Sequence, residues 1–103
     1  MRVLMTAFAR RQIRETSKYI YREFGRNSRD KFLLKVDEAK RLLATNPYIG
    51  PVEPLLSNFP TTYRSMVVAR LNKMFYRIMN DHIEVADFWD CRREPGALAA
   101  EIK

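Results

Sequence analysis

The sequence predicts an α+β fold in which an antiparallel helical hairpin packs on a small, mainly antiparallel sheet. In the first half of the chain, apolar residues recur every three or four positions, which is typical of amphipathic helices. In the second half the apolar period changes to two, which indicates strands. The links between these strands are very short, so we expect a three-stranded antiparallel meander.

The first predicted elements are a short strand and a long helix. Residues 2–5, RVLM, form a short apolar run that we interpret as an edge or end strand. Thr6 follows, where its hydroxyl can accept a hydrogen bond from the first helical turn. The helix is predicted over 7–24, and Gly25 is a natural residue to end it. Its predicted inward stripe consists of Ile13, Ser17, Ile20 and Phe24.

A second helix is expected after a short link, which gives the hairpin. Asn27 or Ser28 can cap it, and it should run through about Thr45, because Pro47 disfavours helix at the residue before it. Its predicted inward stripe consists of Phe32, Val36, Ala39 and Leu43, supported by Leu33 and Leu42.

The segment after the hairpin is predicted to be a connecting loop. Residues 46–61 hold four of the five prolines of the chain. Leu55, Leu56 and Phe59 are its expected hydrophobic anchors. The strands that follow could not fold alone, so we expect residues 1–103 to form a single domain rather than two joined by a linker.

Three strands are predicted over 62–69, 72–80 and 82–89, rich in aromatic and β-branched residues. Alternation divides the side chains of each strand between two faces. The predicted core face holds Tyr63, Val67, Met74, Tyr76 and Ile78. The opposite face holds Arg64, Met66, Lys73, Phe75, Arg77 and Met79. Asp87 falls on the core side, so either the strand bulges there or the acid caps or pairs locally.

The opposite face mixes cations with apolar residues, which favours a surface that receives a partner. Two alternatives stay open at this point. The Lys and Arg stems can lie across their apolar neighbours with the charges in water, or the terminal segment can cover the face. After Pro95, the sequence GALAAEIK predicts at most a short terminal helix.

Charge and composition narrow the class of protein. The formal net charge is +7, and residues 1–46 carry 12 Lys and Arg against 5 Asp and Glu. The positive electrostatic field of such a chain favours acidic partners, although the charge can also simply keep the protein soluble. The single cysteine, Cys91, cannot form an internal disulfide and fits a reducing cytoplasm. No metal site, cofactor or membrane association is expected, because the chain lacks a zinc ligand set, a glycine-rich phosphate loop and a long apolar run.

The cations of the second half are the candidate functional residues. The stretch FWDCRREP (88–95) places Arg92 and Arg93 directly after a predicted strand. With Arg64, Lys73 and Arg77 they can hold an anionic partner or stabilise the charge that develops when a phosphodiester is cleaved. Alternatively, Arg92 or Arg93 pairs with a nearby acid and only fastens the tail. His82 is expected in a turn without a catalytic role.

The ordered motifs resemble the RelE/ParE superfamily of bacterial toxins from type II toxin–antitoxin (plasmid stabilisation) modules. They are FG (24–25), LLATNPYIGP (42–51), YRSMVV (63–68), KMFYRI (73–78) and IEVADFWDCRREP (83–95). The resemblance implies a small, basic, cytoplasmic protein that an acidic cognate antitoxin neutralises, with a heterotetramer as one assembly. RelE-like members cut mRNA in the ribosomal A site, whereas ParE-like members poison DNA gyrase.

The resemblance to the RNase branch is partial. Arg64 matches a basic position of that branch, Lys73 falls where an arginine binds the scissile phosphate, and Arg93 matches a residue that stabilises the transition state. A second important lysine would fall at Met66, and the tail ALAAEIK has no counterpart of the acid–base tyrosine or histidine.

The long hairpin with its FG tip is more similar to the ParE branch. We therefore expect a ParE-like growth inhibitor acting on DNA gyrase. The alternatives are a RelE-like mRNA interferase, for which Arg64, Lys73 and Arg93 would be catalytic, and a divergent or inactive member. The antitoxin is expected to cover apolar surface near Met66, Phe75 and Met79, or the grooves beside the hairpin.

Overall fold

The computed structural model describes residues 1–69 and 72–90 of the chain. It contains β1 (Arg2–Met5), α1 (Ala7–Phe24), α2 (Arg26–Thr45), a 3-10 helix (Pro54–Leu56), β2 (Arg64–Ala69), β3 (Asn72–Ile78) and β4 (His82–Asp90). The strands form one sheet in the order β1-β4-β3-β2, in which β1 runs parallel to β4 and the other pairs are antiparallel. The predicted α+β fold, with its edge strand and meander, is confirmed.

The start of α1 is fixed by Thr6, as the sequence predicts. Its hydroxyl accepts a hydrogen bond from the Ala9 N–H at 3.0 Å and donates one to the Ala86 carbonyl at 3.2 Å. This cap therefore also ties the helix to β4. Ile13 is buried as expected, but Phe24 is 66% exposed and does not belong to the inward stripe, because the last turn of α1 lies against an open groove.

A single residue separates the two helices. Gly25 ends α1 and directly precedes Arg26, the first residue of α2, so the predicted caps Asn27 and Ser28 are wrong. Its backbone has φ 92° and ψ −179°, a conformation that only glycine adopts readily. The Gly25 N–H donates to the Tyr21 carbonyl at 3.0 Å, which gives a hydrogen-bond donor to one of the carbonyls in the last turn of α1. Within the described ranges, neither helix has the length and apolarity that a membrane span requires.

The main core lies between the helices and one face of the sheet. The predicted stripe of α2 is confirmed in full, since all four of its residues are buried here. Leu33 and Leu42 flank that stripe and are exposed, so the expected support from them is wrong. The buried residues of this core are Ala9, Ile13, Phe32, Val36, Ala39, Leu43, Met74, Tyr76, Ile83, Val85 and Phe88.

A second, smaller core lies on the other face of the sheet. It consists of Leu56, Tyr63, Phe75 and Trp89, with Phe59 packed against it. The proline-rich loop covers this face and also pairs with the outer edge of the sheet. The Glu53 N–H donates to the Tyr63 carbonyl at 2.9 Å, and the Ser65 N–H to the Pro51 carbonyl at 3.1 Å.

The predicted faces of β2 are reversed in the structure. Arg64 lies opposite Tyr76 and Met66 opposite Met74, so both project towards the helices. Val67, which we expected in the core, lies opposite Lys73 and is 62% exposed. The alternation was correct, but its phase was not, because an irregularity between Val67 and Ala69 shifts the pairing of β2 with β3 by one residue.

A bulge in β4 explains the position of Asp87. Tyr76 pairs with Val85 and Phe75 with Asp87, which leaves Ala86 without an opposite residue. This was one of the alternatives that the sequence left open. Asp87 is buried, and its Oδ1 accepts the Phe88 N–H at 2.7 Å.

Candidate functional site

The cations predicted to form one surface are divided between the two faces of the sheet. Arg64 projects towards the helices, whereas Lys73 and Arg77 lie on the face with the second core. The expectation that all three share an open face is therefore wrong. Arg92 and Arg93 lie outside the described residues.

Arg64 fastens the loop that follows α2. Its Nη1 donates to the Gly50 carbonyl at 2.9 Å, and its guanidinium lies 4.9 Å from the centre of the Tyr48 ring. The Tyr76 hydroxyl accepts the Gly50 N–H at 3.0 Å and donates to the Pro47 carbonyl at 2.8 Å. Burial raises the pKa of Tyr76, and the Gly50 hydrogen bond and the charge of Arg64 oppose that rise.

Gly50 allows this loop to approach the sheet closely. A Cβ at this position would overlap the carbonyl oxygen of Ser65 and lie 2.9 Å from the Tyr76 hydroxyl. The loop, the arginine and the tyrosine therefore form one tightly packed joint between α2 and the sheet.

Lys73 is paired with an acid that the sequence analysis did not single out. Its Nζ lies 3.9 Å from Oε1 of Glu53, whose side chain is only 5% exposed. The other carboxylate oxygen accepts the Leu55 N–H at 3.3 Å. Oε1 has no hydrogen bond from any residue in the described part of the chain. A signal for Glu53 exists in the sequence, because it is the single charged residue of the loop 46–61.

Arg77 is also held by its own chain. Its Nε donates to Oε1 of Glu84 on the neighbouring strand at 3.0 Å, and its Nη1 to the Thr61 hydroxyl at 3.3 Å. The guanidinium lies 5.7 Å from the centre of the Tyr63 ring. Lys73 and Arg77 therefore share a face, but each stands beside an acid that offsets its charge.

His82 takes part in a local surface cluster. It is the first residue of β4, directly after the short link from β3. Its Nδ1 lies 2.7 Å from Oδ1 of Asp81, and that hydrogen bond lowers the pKa of the Asp81 carboxyl. Arg2 adds an ion pair to the same carboxylate at 3.5 Å.

The apolar residues predicted to bind an antitoxin are not equally available. Phe75 is 1% exposed and belongs to the second core, so its prediction as an accessible contact is wrong. Met66 is half-buried and packs against the main core. Met79 is half-buried near the end of β3.

The hairpin instead borders an open groove of about 830 Å³. The groove runs between the two helices and the adjoining ends of β2, β3 and β4. Lys31 and Lys35 of α2 contribute to its lining, as do Glu15 and Asp90. Its apolar lining includes Tyr19, Ile20, Phe24, Phe32, Ala69 and Phe88. This is the second of the two places in which the sequence analysis expected an antitoxin.

The comparisons with known proteins agree with this fold. The family model of the ParE toxin of type II toxin–antitoxin systems, parDE, matches residues 3–95. A search of curated proteins found no match. A chain from the chromosomal ParDE TA system from P. aeruginosa superposes with a TM-score of 0.72 at 16% identity, over 87% of this chain and 95% of that one. A chain of the YoeB dimer from Staphylococcus aureus superposes with a TM-score of 0.55 at 22% identity, over 84% of this chain and 92% of that one.

Proposed function

This chain belongs to the ParE toxins of type II toxin–antitoxin systems, and from that membership we propose that it inhibits growth by acting on DNA gyrase. We further propose that it works in the cytoplasm and that a cognate antitoxin neutralises it there. Arg92 and Arg93 remain candidates for the contact with the target, on the grounds of the sequence alone.

The separation of the candidate catalytic cations supports a binding poison over a ribonuclease. Cleavage of a phosphodiester without a metal needs several donors aimed at one phosphate, together with a general acid and base. Arg64 is on the opposite face of the sheet from Lys73 and holds a loop carbonyl instead. Arg77 is bound to Glu84 and Thr61.

One observation favours mRNA cleavage as a second candidate function. The pair of Lys73 and Glu53 places a cation 3.9 Å from a carboxylate oxygen, which is a combination that could bind a phosphate and accept a proton. Glu53 is buried, however, and its other oxygen caps the 3-10 helix. Both features favour a structural role for this pair.

Two assays with one double variant separate the proposals. Purified protein is tested for inhibition of supercoiling by DNA gyrase and for cleavage of mRNA on programmed ribosomes. The variant Lys73→Gln with Glu53→Gln removes both charges, so no buried carboxylate is left without its cation. We expect gyrase inhibition by the wild type and by the variant, and mRNA cleavage by neither. If the wild type cuts mRNA and the double variant does not, the ribonuclease proposal would replace the gyrase proposal.

The groove beside the hairpin supports the second part of the proposal. An apolar segment of the antitoxin fits the lining of that groove, with acidic residues placed near Lys31 and Lys35 and away from Glu15 and Asp90. The aromatic side chains Tyr19 and Phe24 are exposed there, which is the kind of surface that a partner covers.

A further inference from the structure

The outer surface of α1 carries a row of cations that no function described above uses. Arg10, Arg14, Lys18 and Arg22 follow one another at intervals of four residues, and all four are exposed. Side chains four positions apart lie above one another on a helix, so the row is continuous. It extends over about 18 Å at 1.5 Å per residue. Arg11, also exposed, lies beside the row.

Most of these cations have no acid beside them. Lys18 is 3.7 Å from Glu15, the one ion pair of α1 in the described part of the chain. Arg10, Arg11 and Arg14 form no ion pair with any residue of 1–69 or 72–90. Their charges are therefore not offset locally, in contrast to those of Lys73 and Arg77.

The geometry points to duplex DNA as the partner of this row: we propose that the outer face of α1 binds the phosphate backbone of DNA without sequence preference. A line of fixed cations matches a line of phosphates, and the release of counterions drives such binding. Guanidinium groups dominate the row, and they suit phosphate oxygens in particular.

An acidic protein segment fits this surface less well. Stable docking of a peptide on a helix needs apolar anchors that become buried at the contact. Arg22 of the row lies 6.0 Å from the centre of the Tyr19 ring, which belongs to the lining of the groove. Tyr21 is covered by Arg29, whose guanidinium lies 4.9 Å from its centre. The row therefore offers charge at regular spacing with little apolar surface between.

The inference is independent of the proposed target, because the test contains neither gyrase nor antitoxin. Binding of the purified chain to a labelled 20-base-pair duplex is followed by fluorescence anisotropy between 50 and 200 mM NaCl. Four phosphate contacts predict a slope of log K against log salt of about −3 to −4. The variant Arg10→Gln, Arg11→Gln, Arg14→Gln removes two of these four contacts and the cation beside them, so it should lower the steepness of that slope by about 2, and the affinity at 50 mM salt by at least about tenfold.

The matched control removes three exposed cations from α2 instead, as Lys31→Gln, Lys35→Gln, Arg41→Gln, which gives the same net charge. This control should keep most of the affinity and the slope. Equal losses in both variants would show that net charge alone attracts DNA, and this would overturn the inference. The absence of saturable DNA binding at 50 mM salt would also overturn it, as would binding of polyglutamate through α1 in place of DNA. Circular dichroism checks that both variants are folded.

Discussion

The phenol of Tyr76 joins the sheet to the loop after α2, and it is fully buried there. It makes two hydrogen bonds to that loop, one with the N–H of Gly50 and one with the carbonyl of Pro47. Arg64 adds a third contact to the same loop, through the carbonyl of Gly50. An arginine that the sequence suggested for catalysis therefore stabilises the position of a loop.

Replacement of this phenol should destabilise the fold. Tyr76→Phe leaves a buried N–H and a partly buried carbonyl without their partner, so we expect the free energy of unfolding at pH 7 to fall by about 1–3 kcal/mol. Urea denaturation measures that difference. Tyr21→Phe is the control, because Tyr21 is half exposed and its ring contact with Arg29 does not need the hydroxyl.

Wild type and Tyr76→Phe also give a pH test, in which the direction of the change in stability is fixed by the pKa of Tyr76. Burial raises the pKa of Tyr76 above its ordinary value of 10.0, so the folded protein holds this proton more tightly than the unfolded chain. The contribution is complete below pH 10 and is lost as the pH rises through the folded pKa. The gap in stability between wild type and Tyr76→Phe should therefore shrink above pH 10. A gap that stays constant to pH 11 contradicts the assignment.

Individual residues also show where sequence-based prediction of the site was limited. Alternation correctly placed Lys73 and Arg77 on one face. Both belong to one strand, and residues separated by an even number of positions in a regular strand share a face. Arg64 was placed wrongly, since the pairing of β2 with β3 shifts by one residue between Val67 and Ala69, and alternation alone does not reveal such an irregularity. Glu53 was missed because its partner, Lys73, lies twenty positions away in the chain.

At the scale of elements, the reversal between the two helices depends on the backbone of Gly25, because no side chain caps the start of α2. Its φ of 92° with ψ of −179° is a region that side chains disfavour. Gly25→Ala should therefore lower the free energy of unfolding by about 1–3 kcal/mol, although nothing lies within 4 Å of the added methyl group. Thermal denaturation measures the loss.

Asn27→Ala, two positions later in the first turn of α2, is the control for Gly25→Ala and should be nearly neutral. A loss of stability at position 25 no larger than at position 27 would show that the reversal does not depend on the backbone of glycine.

The boundaries of the elements were predictable for the same local reason. Thr6, Gly25 and Pro47 act on the backbone within a few residues, so the sequence located both ends of α1 and the end of α2. The faces of the elements depend on distant partners. The second core under the proline-rich loop was not foreseen for this reason, and Phe75 was assigned to an open surface.

At the scale of the whole molecule, the groove and the cationic row divide the hairpin into two surfaces of different chemistry. The groove has apolar walls, whereas the outer face of α1 carries exposed arginines. A protein partner suits the first surface and a polyanion the second. The two surfaces could be occupied together, because the four-residue row of α1 lies outside the lining of the groove.

Phe24 gives the test of the groove as the antitoxin site. Its ring is 66% exposed at the hairpin tip and packs edge-on against Tyr19, with ring centres 6.4 Å apart. Phe24→Ser should leave the thermal stability of the free chain nearly unchanged, because little of the ring is buried. A buried aromatic anchor contributes about 2 kcal/mol or more to an interface, so antitoxin affinity should fall about 30-fold or more.

Isothermal titration with the cognate antitoxin measures that loss, and Leu34→Ser is the matched control. Leu34 is 57% exposed on α2 but does not belong to the lining of the groove among the described residues. The control should bind as the wild type does, since it removes a similar apolar area from outside the proposed antitoxin site. Wild-type affinity in Phe24→Ser, or an equal loss in Leu34→Ser, would place the antitoxin elsewhere on the molecule.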